Sequence, residues 1–168
     1  MLVVVGPPAA GKTTVGTAVA AALGVGFRDT DADVEATTGT TVADLFVQLG
    51  EPHFRALEED AVARALTEHD GVLALGGGAV LSAATRERLV ASGCTVAWLH
   101  VDVASAAHRV GLSRDRPLLA VNPRAMLRTM LEARAPLYAE VSTVTVPTAG
   151  RPITDVVADV LAAVQVAS

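Results

Sequence analysis

Residues 1–16 read MLVVVGPPAAGKTTVG. Leu2 to Val5 form a short run that is apolar at every position, the pattern of a strand covered on both faces. Gly6 to Thr13 then matches G-x-x-x-x-G-K-[ST] without a mismatch, and a helix-compatible stretch follows. This order of strand, glycine loop and helix predicts a loop whose backbone N–H groups point inward. The start of the helix adds roughly half a positive charge, so the loop favours an anion. On this reading Lys12 reaches the β- and γ-phosphates of a nucleoside triphosphate and the Thr13 hydroxyl binds Mg²⁺. A turn in which the glycines serve only backbone geometry does not account for the agreement of motif, lysine and flanking elements.

The rest of the chain repeats the alternation. Further short apolar runs occur at 72–75 (VLAL), 95–101 (TVAWLHV) and 143–146 (TVTV), with GFRDT at 26–30 as a weaker fifth. Helical patterns separate them, which predicts βαβ units, right-handed crossovers and a parallel sheet between helices. Ile153, Val156, Val157, Val160, Leu161 and Val164 recur at helical spacing behind Pro152 and predict a last helix packed on the sheet. Residues 33–69 are helical in pattern with breaks at Gly39 and at Gly50 with Pro52, and read as a helical insertion. Residues 111–123, GLSRDRPLLAVNP, carry loop chemistry and two arginines.

Length and charge limit the partners. The chain has 168 residues, is 51% hydrophobic but only 3% aromatic, and carries a formal charge of −5. A single α/β domain with an Ala/Val/Leu core is expected. No cluster of basic residues could track a nucleic-acid backbone or an anionic membrane, so neither is expected as a partner. Lys12 is the one lysine, and the other basic residues are arginines, whose planar fork suits bidentate capture of phosphate or carboxylate. Cys94 has no second cysteine to pair with. With no signal-like segment and no apolar run long enough to span a bilayer, a cytoplasmic protein is expected.

Phosphoryl transfer also needs a base, metal ligands and cations. Asp29 and Asp31, in RDTDADVE, follow the weak strand and fall at a strand's carboxyl end, where ligands bind in parallel sheets. Two apart on an extended backbone, they would face the same side, one serving magnesium and the other acting as base. The alternative for Asp31 is to cap the following helix. Gly76, Gly77 and Gly78 follow VLAL and allow close backbone approach to a ligand, or form a flexible turn. Arg55, Arg109, Arg114, Arg116 and Arg134 are undecided by spacing alone. Glu58, three residues after Arg55, is placed to pair with it on a helix. The four histidines lack metal-ligand spacing, and Trp98 reads as core.

Taken together, GPPAAGKTTVG, DTD at 29–31, FR within EPHFRALEE, LGGGAV at 75–80, RPLL at 116–119 and RAPLY at 134–138 resemble the shikimate kinase family, in its order and over nearly the whole chain. The resemblance implies a P-loop, nucleoside-monophosphate-kinase-like three-layer α/β sandwich. Its five-stranded parallel sheet runs in the order 2-3-1-4-5, with helices on both faces. One kinase domain over 1–168 is implied, with a phosphate loop at 6–13, a substrate-binding helical region at about 32–70 and a lid at about 111–123. The implied reaction moves the γ-phosphoryl group of ATP to the 3-hydroxyl of shikimate.

By that likeness Asp31 lies beside the acceptor hydroxyl as the base, and Lys12 and Arg116 act on the phosphates. Asp29 supports the magnesium site with Thr13. Arg55 and Arg134 clamp the shikimate carboxylate, and Gly76, Gly77 and Gly78 meet the substrate through the backbone. The nucleotide is held by Gly6, Pro7, Pro8, Ala9, Ala10, Gly11, Lys12, Thr13 and Thr14, with Arg109, Arg151 and Pro152 toward the adenine end and Arg116 reaching the phosphates from the lid. A monomer with ATP and shikimate as its small-molecule partners is expected. Ala9 departs from the family pattern, where glycine is usual, which implies a stiffer loop. A gluconate kinase of the same fold fits the DTD and GGGAV blocks less well. A silent nucleotide-binding regulator should have lost Asp31 or the substrate arginines.

Overall fold

Leu2–Val5 forms strand β1, buried along its whole length at the centre of the sheet. The computed structural model describes residues 1–111 and 123–166. The other strands are β2 (Phe27–Asp29), β3 (Val72–Ala74), β4 (Thr95–His100) and β5 (Val144–Pro147), and the sheet runs β2-β3-β1-β4-β5. Every neighbouring pair is parallel, with Val3 opposite both Leu73 and Val96. All five expected strands form and the implied order holds. The boundaries move by a residue or two: Thr30 and Leu75 fall outside their strands, and β5 starts at Val144.

Alternation along β1 divides the core between the two faces. Leu2 and Val4 join Val15, Val19, Leu99, Val156 and Val160 on one side. Val3 and Val5 join Val62, Leu73, Leu89 and Tyr138 on the other. This is the period-2 geometry of a strand that must satisfy two helical layers. The helices are α1 (Lys12–Leu23), α2 (Thr30–Thr38), α3 (Val42–Leu49), α4 (Glu51–Glu68), α5 (Ala83–Ala91), α6 (Val103–Arg109), α7 (Pro123–Val141) and α8 (Ile153–Val166).

The helical insertion resolves into α2, α3 and α4, broken where expected, since Gly39 ends α2 in the left-handed region and Gly50 lies between α3 and α4. It carries a small core of its own, Val34, Leu45, Phe54 and Ala61. In α8 the expected apolar face packs through Val156 and Val160, but Ile153 is 44% exposed. As the first residue of α8, Ile153 lies beyond the sheet and lines a cleft instead.

The phosphate loop and the Gly76–Gly78 run leave from the carboxyl ends of the adjacent strands β1 and β3. Chain order reverses around β1, whose neighbours are β3 and β4, and in parallel sheets ligands bind at such a switch point. Of the lid expected at about 111–123, residues 112–122 lie outside the described residues, Arg114 and Arg116 among them.

Candidate active site

The phosphate loop is held by its own backbone conformation. Gly6, at φ 152, passes so close to the β4 backbone that a Cβ there would meet the Leu99 carbonyl oxygen at 2.7 Å. Gly11, at φ 91, lets the chain turn into α1. Ala9 also adopts a left-handed conformation, φ 65, the one non-glycine among the described residues to do so. The pattern's usual glycine would be free of strain there. Lys12 curls back over the loop, with Nζ donating to the Pro7 carbonyl at 3.0 Å, and Ala10 N–H also donates to that carbonyl at 3.2 Å. Burial lowers the Lys12 pKa to about 8, against the pull of Asp31 and Asp29. A lysine so desolvated, with partners that only partly offset its burial, is poised for an incoming anion.

Asp29 and Asp31 are not side by side on an extended backbone. Asp29 ends β2 and caps α2, its Oδ1 accepting from Asp31 N–H at 3.0 Å, while Asp31 stands in the first helical turn. The capping residue is therefore Asp29, and the helix, rather than a strand, aims Asp31. The other carboxylate oxygen of Asp29 accepts from Thr13 Oγ1 at 3.0 Å. Asp31 is held above the ordinary aspartate range by burial first and by the neighbouring Asp29 second, with Lys12 opposing.

Around Gly76–Gly78 several side chains converge. A Cβ on Gly76 would fall on Asp31 Oδ1 and Glu58 Oε1, and one on Gly78 would fall on the Arg55 guanidinium. At Gly77 it would meet the Pro8 ring at 2.8 Å. These glycines are therefore the floor against which the phosphate loop, α2 and α4 close. Gly76 N–H donates to the buried Thr30 Oγ1 at 3.1 Å, and the Gly77 carbonyl accepts from Arg134 Nη1 at 3.1 Å and from Tyr138 Oη at 2.5 Å. Arg134 and Tyr138 share one face of α7, four residues apart.

Arg55 lies against the paired rings of Phe46 and Phe54, whose centroids are 5.6 and 5.3 Å from its guanidinium carbon and 4.6 Å from each other. Its Nη1 donates to Glu58 Oε2 at 2.6 Å, as the spacing predicts. Glu58 is only 3% exposed, and burial raises its pKa despite the arginine beside it. Lys12, Arg55 and Arg134 thus face Asp29, Asp31 and Glu58 across one space, and Lys12 feels all of these but Arg55. Such a space can grip an organic acid at the arginine end and hold an alcohol of it beside Asp31, next to the phosphate loop.

On the other side of the loop is a cavity of about 160 Å³ lined by Ala9, Ala10, Gly11, Thr14, Arg109, Thr148, Arg151 and Ile153. Arg109 joins its two walls. Nη1 donates to the Ala9 carbonyl and to Thr148 Oγ1, both at 3.1 Å, and Nη2 donates to the Thr148 carbonyl at 2.8 Å. Arg151 pairs with Asp159 at 2.7 Å, and Pro152 leads into α8 beside it. Its size and position suit the base end of a nucleotide.

A shikimate kinase family model matches residues 8–165. The chain belongs to the shikimate kinase family. It is 60% identical over 163 residues to a shikimate kinase from Frankia casuarinae, covering 97% of this chain and 71% of the relative. A shikimate kinase from Salinispora arenicola is 59% identical over 149 residues, covering 89% and 88%. Among solved structures, shikimate kinase from Acinetobacter baumannii in complex with shikimate superposes with a TM-score of 0.89 at 36% identity, covering 98% of this chain and 92% of that one. The chain is accordingly a kinase with an alcohol acceptor, and its P-loop fold is that of the shikimate kinases.

Of the residues singled out in the sequence, the structure brings Lys12, Thr13, Asp29, Asp31, Arg55, Gly76, Gly77, Gly78 and Arg134 to one space, and Thr14, Arg109 and Arg151 to the neighbouring cleft, with Pro152 next to Arg151 in the chain but not among the lining residues. Arg116 lies outside the described residues. Sequence reasoning missed Thr30 and Tyr138, which each fix the glycine run through one hydrogen bond, and Thr148, which holds Arg109 through two. Tyr138 carried a signal, as the chain's one tyrosine, four residues after Arg134. Thr148 carried none.

Proposed function

We propose that this chain transfers the γ-phosphoryl group of ATP to the 3-hydroxyl of shikimate, giving shikimate 3-phosphate and ADP. The observation that carries this reading is the convergence of Asp31, Arg55 and Arg134 on Gly76–Gly78 beside the phosphate loop. The two arginines hold the substrate carboxylate, which leaves the 3-hydroxyl toward Asp31. The hydroxyl oxygen forms the new P–O bond as the bond to ADP breaks, and Asp31 takes the hydroxyl proton. Its raised pKa makes it a better base than an ordinary aspartate. Lys12 lies on the phosphates, and Arg109, Arg151 and Pro152 border the adenine; Arg116, which the family likeness assigns to the phosphates, lies outside the described residues.

Thr13 Oγ1 and Asp29 Oδ2 suit magnesium as a pair of hard oxygen donors already in contact. Among the described residues no group of three or more His, Cys, Asp or Glu could hold a metal ion. A magnesium ion shared with phosphate oxygens and water needs no such cage. When bound it neutralises phosphate charge. We read the chain as one kinase domain with its phosphate loop at 6–13, its substrate region at about 32–70 and its lid at about 111–123. We further read it as a cytoplasmic monomer without nucleic-acid or membrane partners, in keeping with its charge of −5. No helix among the described residues is long and apolar enough to cross a membrane.

The test is ADP formation from ATP and Mg²⁺ in the presence of shikimate, gluconate or nucleoside monophosphates. Turnover with shikimate alone is expected, and turnover with gluconate alone overturns the reading.

A further inference from the structure

We propose that Glu51 is a built-in competitor for the acid-binding arginine: its carboxylate occupies the edge of Arg55 that the carboxylate of the substrate takes, and substrate binding displaces it. This rests on the reading of the chain as a kinase of shikimate.

An arginine offers its N–H donors in one plane, and two edges of that plane present parallel pairs to a carboxylate. In Arg55, Nη1 is committed to Glu58 at 2.6 Å. That partner is 3% exposed, so releasing it would leave a buried charge unpaired. The phenyl rings of Phe46 and Phe54 and the backbone of Gly78 lie against the guanidinium as well. The remaining edge, Nε with Nη2, is taken by Glu51, whose Oε1 accepts from both at 3.3 and 3.2 Å.

Glu51 differs from Glu58 in being exchangeable. It is 57% exposed, at the first turn of α4, and uses one oxygen where an incoming carboxylate can use two. A cavity of about 590 Å³ lined by Glu51, Arg55, Glu59 and Ser82 gives its side chain room to swing away. An exposed pair of this kind is weak, so it holds Arg55 in place in the free protein and yields to a ligand that engages Arg55 and Arg134 together. The contact thus lowers affinity for every acid and leaves the phosphoryl-transfer step alone.

Steady-state kinetics and direct titration of Glu51→Gln test this. The variant is expected to lower KM and Kd for shikimate about two- to fivefold, the scale of an exposed ion pair, with kcat unchanged. The amide of shikimate, which lacks the carboxylate, is expected to bind both forms equally. Glu59→Gln is the control: it removes one charge from the same cavity, but Glu59 bonds to Ser82 and Arg88 rather than to Arg55. An unchanged or raised shikimate KM in Glu51→Gln overturns the proposal. So does an equal fall in Glu59→Gln, which marks a general field effect, or an equal gain for the amide. Failure of the unmodified enzyme to phosphorylate shikimate would instead strike the functional reading, whereas normal turnover with no shift in Glu51→Gln strikes this proposal alone.

Discussion

Asp31 shows how a residue can serve chemistry at the expense of the fold. Burial and the adjacent Asp29 both disfavour its charge, so an ionised carboxylate here works against the local environment. Asp31→Asn is therefore expected to cut kcat by roughly 10²-fold or more, through loss of the base, and to raise Tm by a few degrees in the same molecule. Unchanged kcat in a well-folded variant would remove Asp31 from the mechanism. Lys12 presents the converse sign. Its pKa in the free protein is about 8 against an ordinary 10.5, so the free protein gains stability as pH rises through that interval. A bound triphosphate restores the charged form. Nucleotide binding is then expected to take up a proton above pH 8, with affinity falling as pH rises. Calorimetry in buffers of different ionisation enthalpy at pH 8.5 measures that uptake, and its absence would mean that Lys12 does not sit on the phosphates.

At the scale of elements, the three glycines after β3 separate two halves of the site. A methyl group on Gly77 meets the ring and backbone nitrogen of Pro8, which cannot swing aside, so Gly77→Ala is expected to push the phosphate loop and raise KM for ATP about tenfold or more. A methyl on Gly78 meets the guanidinium of Arg55 instead. At φ −102 its backbone accepts alanine without strain. Gly78→Ala should therefore fold, keep its KM for ATP, and raise KM for shikimate by a similar factor as Arg55 moves off Glu58. If both variants harmed the same substrate, the division of the loop would be wrong.

Across the molecule the sheet and the substrate region differ in how they are held. Two large clusters clamp the sheet, while α3 fully buries only Leu45, in a four-residue cluster. Local opening follows buried contact, so amides of α3 are expected to exchange at least about tenfold faster than those of β1. Because Phe46 of α3 lies against Arg55 at 5.6 Å, shikimate should slow α3 exchange and leave β1 unchanged. Equal protection of α3 and β1 without ligand would show that the region has no independence.

The layered architecture and the phosphate loop can be read from the order of residues alone. Both are local: Leu2–Val5 is apolar at each position because both its faces are covered, and the glycine-lysine spacing fixes a turn whose donors can only point inward. The order of the sheet, and the roles proposed for Asp31, Arg55 and Arg134, came through the family's motifs rather than through periodicity. The orientation of the carboxylates and arginines comes from long-range packing. Asp29 caps α2 and Asp31 leaves the strand direction because β2 ends one residue before the helix begins, and Thr30 ties that junction to Gly76 across 46 residues. Likewise Arg109 is held by Thr148, and Arg134 and Tyr138 by Gly77, through contacts between distant parts of the chain. Spacing along a chain encodes neighbours within an element, whereas the partners that aim a side chain across the sheet come from the packing of elements against one another.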